Sequence, residues 1–270
     1  MKKSYEIDMC HGPLLGKILL FSIPLMLSSI LQLLFNAADI IVVGRFTGSQ
    51  ALAAVGSTSA LINLLINIFV GLSVGVNVLV GKYYGARQDK NISETVHTAM
   101  LTSLLSGLAL VVLGLTAAKP MLRLMGTPDD VLDQAILYMR IYFLGMPVVM
   151  IYNFGAAILR AVGDTRRPLY YLFAAGVVNV ILNLTFVVGF GRGVDGVAWA
   201  TVISEHISAF FIVKSLMEAP GPLKLELKKL RIVPGKLKRI LKVGLPAGIQ
   251  GAVFSVSNVV IQSSVNSFGS

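Results

Sequence analysis

The sequence predicts an all-α integral membrane protein, with six spanning helices in one lobe and a seventh that opens a second, repeated lobe. Three observations predict it. The chain is 55% hydrophobic with only 13% charged residues, and its mean hydropathy of +0.79 is far above that of a soluble domain. Charge-free apolar runs recur at 51–81, 98–118, 141–159, 168–191 and 243–270, beside 18–43 and 196–213. Each approaches or exceeds the roughly 20 residues that cross a bilayer as a helix. The runs are continuous rather than alternating, which disfavours strands of a membrane barrel.

The first segment, 18–43, holds a single ionisable group, Asp39. A carboxylate at membrane depth is costly and is normally kept for ion or substrate handling. Ser28, Gln32, Asn36 and Asp39 follow a helical spacing that stacks them on one face. The second segment repeats the pattern with Ser59, Asn63 and Asn67, the fifth with Asn179 and Asn183, the sixth with Thr201 and Glu205. Polar side chains in lipid must find partners, so these faces point inward. Taken singly, each Asn or Ser is adequately explained as hydrogen-bonding glue between helices. Four stripes ending near carboxylates favour a wet internal cavity. Oxygen-rich groups suit a hard cation such as Na⁺, and Asp39, Asn179, Asn183 and Thr201 can supply such a set, with Glu205 a second acid. Asp39 can equally hold a proton. His206 is about 100° around the helix from Glu205, and packing explains a lone His there better than ligation.

In the fourth segment Arg140 reads as a snorkelling arginine near the outer end of its helix. Gly71 and Gly75, and Gly81 and Gly85, have the small-xxx-small spacing of close helix packing. Residues 219–238 form a basic linker in which leucines alternate with Lys. The two readings of it are a segment lying on anionic lipid and a plain solvated connection; Pro220, Pro222 and Pro234 oppose one long helix. Beyond it, an offset of 222 aligns Ile23-Pro24 with Leu245-Pro246, Asn36 with Asn258 and Phe46 with Phe268. The repeat divides the chain into a six-helix lobe (1–218), the linker (219–238) and the first helix of a second lobe (239–270). It implies a protein of about 440 residues built from two parallel units.

The net charge of +10 is explained by topology. With the N-terminus inside, eighteen of the 23 Lys and Arg lie on the inner side, and only Arg45, Lys119, Arg123 and Arg192 outside, with Arg140 in a span. This is the positive-inside pattern, and it argues for a multi-pass protein of the cell membrane with a cytoplasmic N-terminus rather than for nucleic-acid binding. Cys10 is the only cysteine, so no disulfide can form within the chain. The first run is too long and lacks the cleavage pattern of a signal peptide. No phosphate loop, metal spacing or nucleophile motif occurs; no catalytic residue and no cofactor is expected.

Tyr138-Met-Arg140-Ile141, Gly145-Met-Pro147, Tyr152-Asn153, the run LRAVGDTRRP at 159–168, Asn179 to Asn183, NAADIIVVGRFTG at 36–48 and GVDGVAWAT at 193–201 together resemble the multidrug and toxic compound extrusion (MATE) family. The resemblance covers the whole chain. It implies a secondary transporter of two six-helix lobes that exports organic cations or drugs in exchange for Na⁺ or H⁺, of which this chain holds the N-terminal lobe and lacks most of the C-terminal one. Asp39 matches the first-helix aspartate of the coupling-ion site, and Asn179 and Thr201 its polar partners. Asn183 stands where many members have a second aspartate, and Glu205 where Gln is common. Pro24 matches the proline at which the first helix bends. The substrate cavity is expected to be lined by Gln32, Asn36, Asn63, Asn67 and Asn153, and the only metal expected is Na⁺ at Asp39. In the LRAVGDTRRP loop, Gly163 and Asp164 suit a tight turn. Two other readings stand beside export: a lipid-linked oligosaccharide flippase, which needs a more cationic cavity, and a half-transporter acting by pairing.

Overall fold

The computed structural model describes residues 14–267, which are almost entirely helical. The chain runs α1 (Leu14–Phe46), α2 (Ser49–Gly85), α3 (Asp89–Leu124), α4 (Asp129–Leu144), α5 (Met146–Ala161), α6 (Arg166–Leu184), α7 (Val194–Met217) and α8 (Pro234–Asn266). Cys10 and Phe268 lie outside the described residues.

Six of these helices are long and apolar enough to cross a membrane singly. The seventh span differs from the expected run 141–159. It is a pair of 16-residue helices, α4 and α5, bent by 48°. Sixteen residues give about 24 Å of helix, short of the roughly 30 Å hydrocarbon core, so neither helix is long enough to cross by itself. The break falls at Gly145 for a local reason: Pro147 has no N–H to give to the preceding turn, and Gly145 adds little helix propensity. Arg140 is therefore not at an outer helix end. It is exposed, one turn before the break.

Apolar faces of α2, α3, α4, α5 and α7 form the core, with Phe143, Met146, Met150, Phe154 and Ile212 fully buried. Close approach is obtained with glycine. A Cβ on Gly107 would run into the backbone of Pro147, and one on Gly114 into Phe143. The tightest crossing is between α2 and α8. Gly71 and Gly75 face Gly244 and Gly248 backbone to backbone, and no side chain fits between them. Of the two glycine pairs singled out by spacing, Gly71 and Gly75 thus form a helix contact. Gly81 only touches Ala161, and Gly85 has nothing beside it.

α1 is the least covered helix. It leans mainly on α6, where the ring of Phe35 occupies the space a side chain at 176 would need. Pro24 lies inside α1, which continues through it. Ser28 Oγ donates to the Pro24 carbonyl at 2.8 Å, so Ser28 belongs to its own helix rather than to a cavity-facing stripe. α8 has the same 33-residue length as α1 and also carries a proline, Pro246, in its first half.

The turn before α6 follows its sequence closely. Gly163 has φ +89°, and the buried Asp164 takes the Arg167 N–H at 3.1 Å and pairs with its guanidinium. The linker is anchored at some positions and open at others, with Leu227, Lys228 and Lys229 exposed. Leu223 and Leu225 are buried against the bundle, and α8 begins at Pro234, inside the expected linker. His97 fastens this strap: its Nδ1 pairs with the Ser93 carbonyl at 2.7 Å and its Nε2 with the Glu226 N–H at 3.1 Å. A carbonyl only accepts and an amide N–H only donates, so the ring is neutral with its proton on Nδ1. Thr98 Oγ1 takes the Val233 N–H at 3.1 Å and gives to the Arg231 carbonyl at 3.2 Å.

Candidate functional site

α1, α6 and α7 meet around Asp39. Asn179 and Asn183 lie one turn apart on α6, 5% and 0% exposed. Asn183 Nδ2 donates to Asp39 Oδ1 and to Asn179 Oδ1 at 3.2 Å. Asn179 Nδ2 reaches Thr201 Oγ1 on α7 at 3.3 Å, and that hydroxyl gives its own proton to the Val197 carbonyl at 3.1 Å. Four side chains from three helices thus form one network in which Asn183 donates both ways, to the Asp39 carboxylate and, through Asn179 and Thr201, toward the Val197 carbonyl. A five-residue π-helical stretch, Thr185–Gly189, starts two residues after Asn183. Such stretches re-aim the residues around them and cluster at functional sites.

One valence of this network is left open. Asn183 Oδ1 is buried with no hydrogen-bond partner. A buried carbonyl oxygen without a donor costs on the order of 1–3 kcal/mol, so this position calls for a donor or a cation. A proton on Asp39 or a hard cation between Asp39 and Asn183 would each meet the need.

Glu205 is not hydrogen-bonded to this chain of groups. It sits half-buried one turn along α7 from Thr201 and accepts from Ser208 Oγ at 3.2 Å. His206 points away, exposed, with its Nδ1 against the Val202 carbonyl at 2.7 Å. Two residues that the stripes did not single out stand close by. Tyr138 and Tyr142 on α4 stack with ring centroids 6.0 Å apart, both within electrostatic reach of Asp39, and Tyr142 also of Glu205. Their i, i+4 spacing inside an apolar run was the signal available in the sequence.

The five residues expected to line a substrate cavity do not converge. Gln32 and Asn36 on α1 and Asn63 on α2 are exposed. Asn67 donates to Ser255 on α8 at 2.8 Å, which makes it part of the α2–α8 contact. Asn153 donates to the Val149 carbonyl of its own helix at 2.8 Å. Among the described residues no cluster of His, Cys, Asp and Glu suited to a metal occurs; the oxygens at Asp39 come from amides and a hydroxyl instead.

The sequence model of the MatE family matches residues 24–185, a stretch that contains Asp39, Asn179 and Asn183, and the chain belongs to that family. It is 34% identical over 258 residues to a protein of Bacillus subtilis (strain 168) named "Probable multidrug resistance protein YoeA", covering 93% of this chain and 56% of that protein. A second Bacillus subtilis protein, "Probable multidrug resistance protein YpnP", is 30% identical over 97% of this chain and 58% of its own length. The chain therefore spans little more than half the length of these relatives. Among solved structures, one described as an outward-facing conformation of a multidrug resistance MATE family transporter superposes with a TM-score of 0.86 at 28% identity, covering 95% of this chain and 57% of that one. An inward-facing conformation described in the same terms gives 0.80 at 29% identity, over 86% and 53%.

Proposed function

We propose that this chain is the first lobe, with the first helix of the second, of a secondary antiporter that exports organic cations or drugs in exchange for Na⁺ or H⁺. The observation that carries the reading is a carboxylate at membrane depth, Asp39, held by an amide–hydroxyl network with one acceptor unmet. The relatives' names as multidrug resistance proteins support it. A second lobe would cover the exposed face of α1, with Gln32 and Asn36, and close a cavity against it. The positive-inside pattern supports a cytoplasmic N-terminus.

Antiport follows from competition. A coupling ion bound between Asp39 and Asn183 neutralises the charge that would attract a cationic substrate, and bound substrate in turn opposes the ion. Rocking of the two lobes about the midplane site would expose it alternately. A flippase for pyrophosphate-linked lipids draws no support from this site, whose only full charge is negative.

The test is transport by the full-length protein in vesicles with imposed Na⁺ or proton gradients. Wild type moves a fluorescent organic cation against its gradient, driven by one of the two. Asp39→Asn inserts normally and loses export. Undiminished export by the variant removes Asp39 from the mechanism.

A further inference from the structure

A cavity of about 270 Å³ opens where α1, α2 and the end of α5 come together, away from Asp39. It is slightly smaller than the roughly 300–1,000 Å³ of sites for drug-sized molecules. Phe21 of α1 and Val78 of α2 form its apolar wall; Asn77, Lys82 and Arg160 supply its polar groups. The lining contains two cations and no carboxylate. Among the described residues neither Lys82 nor Arg160 forms an ion pair, in contrast to Arg167, Arg192, Lys229, Arg231 and Lys236. The Arg160 guanidinium stands against the Tyr152 hydroxyl, but its Nε is buried with no acceptor, although a donor in such a place normally has one. Asn77 is held to α5 at the cavity wall, its amide nitrogen donating to the Ala157 carbonyl at 3.0 Å.

We infer that this cavity binds an anionic phosphate headgroup. The fork of Arg160 suits two phosphate oxygens and Lys82 adds a point charge. Phe21 and Val78 suit the glycerol and first acyl carbons of a lipid. Basic pockets between spanning helices on the cytoplasmic side hold anionic lipids for the same reasons. The two sources of such a group are a lipid, with phosphatidylglycerol as the probe, and free inorganic phosphate. Unlike the export site, this one requires no transport for its detection.

The experiment uses the full-length protein in phosphatidylcholine vesicles doped with a photoactivatable phosphatidylglycerol, followed by peptide mapping. The peptides bearing Phe21 and Val78 should be labelled, and Lys82→Gln should reduce the labelling about fivefold. Arg160→Gln should reduce it at least as much. Lys82 is exposed, so its variant folds even if the Arg160 variant does not. Excess inorganic phosphate that abolishes the labelling identifies free phosphate as the ligand; labelling that resists it identifies the lipid. Equal labelling of these peptides by photoactivatable phosphatidylcholine, or undiminished labelling of Lys82→Gln, overturns the site.

Discussion

Asn183 does the most with one side chain. Its amide nitrogen serves Asp39 and Asn179 together, while its oxygen serves nothing. Replacing that amide by a carboxylate reverses the arrangement. Asn183→Asp removes the donor and sets two acids side by side, which can coexist only if one is protonated or a cation lies between them. In the full-length protein, Asn183→Asp should gain more thermal stability from added Na⁺ than wild type does, by several degrees; equal Na⁺ responses would show that the two side chains do not share an ion. At this scale the sequence was informative where lipid enforces satisfaction. Asp39, Asn179, Asn183 and Thr201 were legible because polar groups in spans must meet one another. Ser28 and Asn153 misled because a polar side chain can also satisfy itself on the carbonyl of its own helix, and spacing does not distinguish the two outcomes.

The helices obey their apolar patterns except where glycine and proline intervene. The bend between α4 and α5 was hidden because residues 141–159 are apolar throughout, and hydropathy is blind to a missing N–H. The α2–α8 crossing was half legible. The spacing of Gly71 and Gly75 announced a close contact, but its partners, Gly244 and Gly248, became known only from the fold. The strap of the linker on α3 was not legible at all, since one histidine and one threonine carry it. The crossing yields the prediction at this scale. Gly75→Val places a branched side chain against the Ile240 carbonyl, and should destabilise the full-length protein by several kcal/mol, read as a markedly lower melting temperature. Gly85→Val, with open space around it, should cost far less, under about 1 kcal/mol beyond its helix propensity.

At the scale of the whole molecule, six helices are long and apolar enough to cross a membrane singly, and the bent α4–α5 pair would add a seventh crossing if it acts as one span. The charge asymmetry that argues for a cytoplasmic N-terminus is checked with cysteines placed after removal of Cys10. Ser49→Cys, at the start of α2, should react with an impermeant maleimide added outside intact cells, and Lys90→Cys, at the start of α3, should not. The reverse pattern would invert the topology. Arg140, exposed about a third of the way along the bent pair, has a consequence of its own: an arginine at that depth needs water or protein against it, which a second lobe or an aqueous cleft beside α4 would provide.

The four glycines where α2 meets α8 have a mechanical meaning. Side chains normally act as gear teeth that lock two helices in a fixed mesh. With the teeth removed, the two rods touch along bare backbone at Gly71, Gly75, Gly244 and Gly248, and nothing meshes at those four positions. Under the proposed two-lobe reading, in which α8 opens the second lobe, this bare joint is where the two halves would meet.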